Sequence, residues 1–540
     1  MKHMLSCLVL AGLSLTGAAK EWPVENVAEL KTALSSSGGG DSIVLKPGLY
    51  DLSGETPKRQ SEKYPIAYLV IANKQLVVRG ENEGSWRTKD RASEAIIKGG
   101  DKAAIFYAHG GNGRKSSFYN LTFEDACYTN DTVQFAIGGG AISYVSTEGA
   151  GAVVSNCVFR NCRTDKNGGA ICYVDAVDCY FTNCTSSASG GAVYGGYRFQ
   201  TGGINHTNEY RSCVFECNSA TNSGGAIYCD PASKIEGCVF RGNSAKNGAG
   251  VFGSAEGFGG EAVDCVFSDN QATGFTKESK NHNRGTHIAK FRRAEGCVFS
   301  GAGDVYVQQI NRCQFTHCQQ RFIDNYSGLI TFDAKSGCGV VRNTLFDHCS
   351  VPRLITTAGT SSAIENCTFA DNNLSGYDDN KKMYFFYAFR GYDKIVDDLV
   401  APSTNVVVNG IFANNKIGDY SADVNFYCAT ASSVVSPCAN IVSNCVYGVL
   451  DKSHVAWNAP VIAENFVQKQ VVFVAGAPAY PGVAPYTPLR KGGVVNCGLL
   501  LDWMPGSLDL AGNPRVNGTT CDLGCYERWL PEMGLMLIFR

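Results

Sequence analysis

The chain has 540 residues, of which 44% are apolar, and its formal net charge is −2. This charge balance excludes a generally basic nucleic-acid-binding protein, and the apolar content excludes a disordered chain. The length exceeds what one compact core fills, so we expect several domains or one elongated repeat. The 61 Gly and 16 Pro residues, with many Phe, Tyr and Val, favour β-strands joined by frequent turns.

The first 19 residues have the pattern of an export signal. Lys2 and His3 precede an apolar run over residues 4–15, and residues 17–19 supply small side chains for cleavage before Lys20. The apolar run is too short to span a bilayer, and no later segment reaches 18 uninterrupted apolar residues. We therefore predict a secreted or cell-surface protein with no transmembrane helix in the mature chain.

A short helix is predicted soon after this signal. Val27, Leu30, Ala33 and Leu34 share one helical face, and the glycines at 38–40 end the helix. The sequence SIVLKPGLYDL that follows predicts strand, turn and strand. Such a helix would cover the open end of a stack of strands and block pairing at its edge.

A phrase built on Phe repeats through most of the chain. Cys stands two residues before the Phe in eight of eleven copies, and Cys or Asn stands three residues after it in nine. The regular spacings of 22 to 27 residues fit one coil of a parallel β-solenoid with three short strands. The repeated residues are Phe123, Phe159, Phe181, Phe215, Phe240, Phe267, Phe299, Phe315, Phe346, Phe369 and Phe412.

The spacing within the phrase predicts which side chains stack. Residues i and i+2 of a strand share a face, so Cys and Phe point into the interior together, and successive coils place them about 4.8 Å apart. The Asn after the strand is expected to form a ladder of side-chain amides. We expect mostly free, buried thiols; disulfides between neighbouring coils are the alternative, and the paired spacing of zinc ligands is absent. A second phrase, GGAI or GGAV, predicts a turn with unusual φ and close approach of coils.

These patterns predict an all-β protein, a single-stranded parallel β-helix with a short N-terminal capping helix and a small C-terminal β module. The segment ELKTALSSSGGGDSIVLKPGLYDL resembles the start of pectate-lyase-like β-helix proteins, and this resemblance implies a right-handed helix. The alternating GGA(I/V) and FxxN phrases resemble the repeats of polymorphic outer membrane proteins. FxxN is intact at Phe240–Asn243, Phe267–Asn270, Phe369–Asn372 and Phe412–Asn415, and it becomes FxxC in several other coils.

The end of the chain carries a second resemblance. GGVVNCG and DLAGNPRVNGTTCDLGCYE resemble the choice-of-anchor Q module, which follows β-helix repeats in secreted and surface proteins of environmental and gut bacteria. This resemblance implies a bacterial protein. The matching residues are Asp509, Gly512, Asn513, Pro514, Arg515, Asp522, Gly524, Tyr526 and Glu527. Cys521 and Cys525 depart from the module's phrase and either pair with each other or stay free. The predicted boundaries are 1–19 for the signal peptide, 20–450 for the β-helix, 451–528 for the module and 529–540 for the tail.

Insertions longer than one coil are the candidate sites, because loops on a solenoid often gather on one face. The loop GFTKESKNHNRGTHIAKFRR is basic, and its candidate ligand-binding residues are Lys277, Lys280, Arg284, Lys290, Arg292 and Arg293. The loop SGYDDNKKMYFFYAFRGYDKIVDD is rich in Asp and is a candidate Ca²⁺ site. Solvated loops of mixed charge are the alternative for both. His109, His317 and His348 are lone histidines in the sequence. The last two each precede a Cys of the repeat and are interpreted as turn residues and not as acid–base groups.

Two functions of different classes are consistent with this sequence. The first is a secreted or surface protein with an adhesin, carbohydrate-binding or structural role, acting as a monomer on a polysaccharide or host glycan. The alternative is a polysaccharide lyase or glycoside hydrolase for acidic polysaccharides. The chain lacks the NTD, DD, GHG and RIK phrases of polygalacturonases, and no catalytic residue is assigned. No cofactor is expected, with Ca²⁺ as the alternative.

Overall fold

A computed structural model of the chain describes the following residues: 19–59, 65–88, 90–110, 115–129, 138–146, 152–195, 208–253, 258–273, 286–319, 328–333, 336–375, 383–389, 404–418, 424, 426–429, 439–448, 461–471, 473, 486–487, 489, 493–516 and 518–528. The predicted signal peptide up to residue 18 and the predicted tail, 529–540, lie outside them. No helix among these residues is long and apolar enough to cross a membrane.

The chain winds as a parallel β-helix, which confirms the predicted fold class. Each full coil contributes a strand to each of three faces, and the strands of successive coils pair in parallel. In the repeat region, Phe159 pairs with Phe123 of the coil before it and with Phe181 of the coil after it. The helical elements of the described residues are the α-helix Val27–Ser36 and the 3₁₀ turn Arg91–Ser93.

The strands are grouped here by face. Face 1 contains Ala67–Ala72, Ala104–Gly110, Ile142–Ser146, Ile171–Cys172, Val193–Gly195, Ile227–Cys229, Val251–Gly253, Ile330–Asp333, Arg353–Ala358, Tyr384–Phe389 and Phe426–Ala429. Face 2 contains Glu21–Val24, Ser42–Leu45, Val77–Gly80, Ser117–Tyr119, Ala152–Ser155, Val174–Val177, Glu209–Arg211, Lys234–Glu236, Glu261–Val263, Gly339–Arg342, Ser361–Glu365 and Thr404–Val408. Face 3 contains Gly48–Asp51, Ala95–Lys98, Leu121–Glu124, Val158–Arg160, Tyr180–Thr182, Val214–Glu216, Val239–Arg241, Val266–Ser268, Val298–Ala302, Gln314–Gln319, Leu345–Asp347, Thr368–Ala370 and Ile411–Ala413.

Four longer strands each belong to two faces. Ile288–Glu295 and Val305–Asn311 run from face 1 to face 2, whereas Ala439–Tyr447 and Val461–Gln468 run from face 2 to face 3. The last of them pairs with its predecessor over most of its length, so the β-helix continues past the predicted boundary at residue 450. This strand has no Cys-x-Phe phrase, so the repeat spacing does not identify it. Short strands follow face 3: Cys127–Tyr128, Arg163–Thr164, Thr185–Ser186, Ser219–Ala220, Ser244–Ala245, Gln271–Ala272, Asn373–Leu374 and Lys416–Ile417.

The repeated Phe residues form one continuous column inside the helix. All eleven side chains are fully buried. Each ring stacks on the next, with centroids between 4.6 and 5.1 Å apart. This spacing is that of neighbouring strands, so each coil adds one ring to the stack. The predicted vertical alignment of Phe is therefore confirmed.

The Cys and Asn residues of the phrase form two further interior columns. Wherever the structure describes a cysteine side chain, its thiol is free, and all but three of these side chains are buried. Their thiols donate to carbonyl oxygens two residues earlier, for example from Cys213 Sγ to Arg211 O at 3.2 Å. In the Asn ladder, Asn218 Nδ2 donates to Asn243 Oδ1 and Asn243 Nδ2 donates to Asn270 Oδ1, both at 3.0 Å. The thiols are thus bonded to backbone carbonyl oxygens, and the Asn amides are bonded to one another.

The GGAI phrase forms the turn into face 1, and its two glycines meet different requirements. Gly190 and Gly224 have φ near +70°, which disfavours residues with a Cβ. A Cβ on the following Gly191 would lie 1.9 Å from the carbonyl oxygen of Gly225 in the next coil. The first glycine is therefore needed for the turn, and the second allows the coils to approach closely.

The N-terminal helix closes one end of the interior. Leu30, Ala33 and Leu34 are buried in the same apolar core as the first coils. Asn26 caps the helix, because its Oδ1 accepts a hydrogen bond from Glu29 N at 3.0 Å. The helix ends at Ser36, before the predicted stop at the glycines.

The C-terminal segment 493–528 folds back along the outside of the β-helix. Its described residues form two isolated antiparallel bridges, Gly498 with Cys521 and Leu508 with Pro514. Arg515 lies at its centre and donates from Nη2 to the carbonyl oxygens of Asp522 and Gly524, at 2.8 and 2.6 Å. Outward-facing asparagines of the β-helix hold this segment; Asn409 Nδ2, for example, donates to Leu499 O at 2.8 Å.

Candidate active site

The residue two positions after each repeated Phe forms a column on the outer surface. In all eleven coils this residue has a φ between 52° and 69°, the left-handed conformation that ends the face 3 strand. Because the Phe rings are in register, these turn residues also follow one another along the helix axis. We call them the turn column: Asp125, Asn161, Asn183, Cys217, Gly242, Asp269, Gly301, His317, His348, Asp371 and Asn414.

Two histidines stack in this column. The imidazole rings of His317 and His348 have centroids 5.0 Å apart and an interplanar angle of 5°. Both residues have a φ of 52°, so they are turn residues as the sequence predicts. Both side chains are exposed, and that of His348 is 49% accessible. The stack therefore places two acid–base groups side by side at the surface. The sequence interpretation assigned these residues only to turns and did not predict that they meet.

One carboxylate orients both imidazoles. His348 Nδ1 lies 3.2 Å from Asp347 Oδ2. Thr316 Oγ1 donates to the same oxygen at 3.1 Å and lies 2.9 Å from His317 Nδ1. A proton on Nδ1 of each ring satisfies all these contacts, directly for His348 and through the Thr316 hydroxyl for His317. Each Nε2 then carries the lone pair that can accept a proton.

A tyrosine from the C-terminal part of the chain completes the cluster. The Tyr486 hydroxyl donates to Asp371 Oδ2 at 2.9 Å and lies 3.3 Å from His348 Nδ1. The ring of Tyr486 packs edge-on against Phe473, with centroids 5.4 Å apart. The return of the chain along the β-helix thus places a phenol beside the histidine pair. We call His317, His348, Asp347, Asp371 and Tyr486 the histidine cluster.

Burial raises the pKa of two groups that support the histidines. Burial raises the pKa of the Asp347 carboxyl, and the hydrogen bonds from His348 and Thr316 oppose this rise. Burial also raises the pKa of the Tyr486 phenol, and the hydrogen bond to Asp371 raises it further. The phenol therefore keeps its proton at neutral pH and remains a hydrogen-bond donor.

The sequence repeat could have predicted only some members of the histidine cluster. Aligning the coils on Phe places His317, His348 and Asp371 at equivalent positions, and it places Asp347 on the outer side of face 3. Nothing in the alignment points to Tyr486, which lies 138 residues from His348 in the chain. Its position depends on the return path of the C-terminal part.

The predicted basic loop is described only at its end. Lys290, Arg292 and Arg293 lie on the strand Ile288–Glu295, and Lys277, Lys280 and Arg284 lie outside the described residues. Arg292 pairs with Glu261, and Arg293 Nη2 lies 2.7 Å from Glu295 Oε2. Lys290 has a φ of 61°, and its Nζ lies 5.4 Å from the ring centroid of Phe252. The described arginines of this surface are thus matched by carboxylates.

Other candidate residues are either buried or not described. His287, from the same loop, is fully buried at the end of the Asn ladder, 3.2 Å from Asn270 Nδ2. His109 lies on face 1, with Nδ1 3.1 Å from Asn73 Oδ1. Most of the Asp-rich loop, including Asp378 and Asp379, lies outside the described residues. Within the described part of the chain, no group of three His, Cys, Asp or Glu residues could hold a metal ion.

No protein-family model matches the sequence, and no curated protein matches it. Among solved structures, a mutant of the family 6 alginate lyase AlyGC is 13% identical with a TM-score of 0.39, covering 87% of this chain and 55% of that one. The AlgE4 A-module, a mannuronan C-5 epimerase of Azotobacter vinelandii, is 9% identical with a TM-score of 0.31, covering 82% and 100%. Pectate lyase Pel9A is 12% identical with a TM-score of 0.28, covering 96% and 98%. This chain thus spans little more than half the length of AlyGC, and its own strand pairings establish the parallel β-helix.

Proposed function

We propose that this protein binds an acidic polysaccharide along the β-helix and cleaves it by β-elimination at the histidine cluster. The observation that carries the proposal is the stacked pair of His317 and His348, oriented together by Asp347. An imidazole acts as a base in its neutral form and as an acid in its protonated form. Two imidazoles 5.0 Å apart can therefore supply a base and an acid in one place.

The reaction uses both forms. The neutral Nε2 removes the proton from the carbon next to the uronate carboxyl group. The electron pair of that C–H bond forms a carbon–carbon double bond, and the glycosidic C–O bond on the adjacent carbon breaks. The leaving oxygen takes a proton from the imidazolium of the other ring. The pair ends with the two protonation states exchanged, and a proton transfer through solvent restores it.

Cleavage is tested with purified protein on alginate and pectate, the substrates named for two of the similar structures. The unsaturated uronate product absorbs in the ultraviolet, so its formation gives a direct rate. We expect His348→Ala and His317→Ala each to lower kcat/KM at least ~100-fold, the usual contribution of general acid–base groups. Glu209→Gln, an exposed change on face 2 outside the turn column, is the control and should leave the rate unchanged.

The pH dependence gives a second readout. A base and an acid acting together produce a bell-shaped profile of kcat/KM, and either histidine variant should lose one limb. A polysaccharide that is retained by the protein but never cleaved would overturn the elimination and support a carbohydrate-binding or adhesin role. Assays with added Ca²⁺ and with a chelator examine the calcium site predicted for the Asp-rich loop.

The proposal also includes export and a second contact surface. We infer that the signal at 1–19 directs the protein out of the cell, where polysaccharides are accessible; N-terminal sequencing of the secreted form should begin at Lys20. Lys290, Arg292 and Arg293, with Lys277, Lys280 and Arg284, are a proposed contact surface for the acidic chain. Arg292→Ala with Arg293→Ala should weaken retention on a glycan array, and unchanged retention would remove this surface from the proposal.

A further inference from the structure

An open groove lies at the N-terminal end of the turn column. Its volume is 630 Å³, and Asp101, Asp125, Asn161, Arg163 and Asn183 are among the residues that line it. Three of these are members of the turn column. The groove and the histidine cluster therefore lie on the same line along the β-helix axis.

Arg163 differs from the other outward-facing arginines of the repeat coils. Arg160 pairs with Glu94 at 3.2 Å, and Arg241 pairs with Glu216 at 3.5 Å. Among the described residues, Arg163 has no carboxylate within ion-pair distance; its Nε lies 2.9 Å from Cys127 Sγ. Its side chain is exposed on the groove, so its charge is directed to whatever binds there.

The turn column between the groove and the cluster carries only short side chains. Its intervening members are Asn183, Cys217, Gly242, Asp269 and Gly301, none of which has a side chain longer than that of Asn or Asp. From Asn161 to His317 the column rises by six coils, which is about 29 Å at ~4.8 Å per coil. A coil rises by about the length of one sugar unit, so a chain of about six or seven sugars spans this distance.

We propose that the Arg163 groove is a distal binding subsite for the polysaccharide chain that is cleaved at the histidine cluster. Arg163 holds a uronate carboxylate by charge-assisted hydrogen bonds, and the side chains of Asp101, Asp125 and Asn161 meet sugar hydroxyls. This inference rests on the proposed function for the identity of the ligand. It predicts that the length of the oligosaccharide, as well as its chemistry, determines how well it binds.

The experiment uses a series of oligouronates of defined length and two matched variants. Binding should strengthen once the oligosaccharide reaches about six or seven sugars, the length that joins the two sites. Arg163→Met should weaken the binding of longer oligosaccharides about tenfold or more, the effect of one hydrogen bond to a charged group, and leave trimers unaffected. Arg211→Met removes an exposed arginine of face 2, away from the groove and the turn column, and should change neither.

The outcomes separate this inference from the proposed cleavage. Binding is measured by calorimetry in His348→Ala, so it does not depend on turnover, and the thermal midpoint of each variant confirms that it is folded. If long chains bind through Arg163 but are never cleaved, the subsite stands and the elimination fails. If cleavage occurs but Arg163→Met weakens no length, or weakens all lengths equally, the distal subsite is wrong. If no acidic oligosaccharide binds, both are wrong.

Discussion

The Phe column and the turn column repeat in the same coils, two residues apart, yet they differ in how uniform they are. Every position of the first is Phe, whereas the second contains Asp, Asn, Cys, Gly and His. In the interior, each ring must fill the space between two others at about 5 Å, so only one shape fits. At the turn, the backbone requires only a positive φ, and Asn, Asp and Gly adopt it more readily than other residues. The regular interior thus leaves the turn column free to vary, and the candidate active site lies there.

The largest effect is expected from removing one ring of the Phe column. Phe267→Ala deletes a fully buried side chain stacked on both sides and should lower the free energy of unfolding by ~3–5 kcal/mol. Its neighbour Val266 is 37% exposed, so Val266→Ala should cost less than ~1 kcal/mol. Urea unfolding of both variants measures the difference. Equal losses would contradict the division between interior and surface.

A smaller loss is expected from the Asn ladder, which is interior but polar. Asn243 accepts from Asn218 N and donates to Phe215 O, both at 3.0 Å. Asn243→Ala leaves these buried groups without partners and should cost ~2–4 kcal/mol in the same unfolding measurement. The contrasting change is Asn183→Gly in the turn column, where other coils already carry glycine, and it should be nearly neutral. A large loss at Asn183 would show that the turn column is not free to vary.

The C-terminal segment, which brings Tyr486 to the turn column, should respond to pH. Burial raises the pKa of Glu527 to about 8, although Arg515 opposes the rise. Because the pKa of this carboxyl is higher in the folded state, its protonation favours folding most at a pH below the ordinary pKa of Glu. This contribution to the free energy of unfolding is lost as the pH rises through about 8. The thermal midpoint should therefore fall between pH 4.5 and 8, and Glu527→Gln should reduce that fall. Glu209→Gln, on the surface, is the control, and an identical pH slope for both variants would contradict the assignment.

The smallest effect is expected when the reactivity of the interior thiols is compared with that of a thiol in the turn column. Burial raises the pKa of Cys445 to about 12, which keeps that thiol protonated and unreactive. Cys217, Cys338 and Cys497 are exposed. A thiol-alkylating reagent applied to the native protein should label these three first, as mapped by mass spectrometry. Early labelling of Cys238 or Cys265 would contradict the buried column.

The repeat predicts the β-helix because each copy of the phrase meets the same packing requirement. Cys, Phe and Asn recur at fixed offsets, and stacking of identical coils turns those offsets into the columns that the structure contains. The double glycine of GGAI also predicts a tight turn between closely spaced coils, because a positive φ and a close backbone approach both disfavour a Cβ. The strand Val461–Gln468 could not be predicted in this way, because it lacks the phrase.

The amino-acid sequence by itself therefore determined the architecture, the capping helix and the burial of Phe and Cys, since these depend on local patterns repeated at each coil. Only the tertiary structure decided which turn residues meet. His317 and His348 stack because their coils are adjacent, Asp347 orients both, and Tyr486 joins them through the return of a distant segment. Such contacts depend on the register of the coils and on the path of the chain. The residues that neighbour each of these side chains in the sequence determine neither.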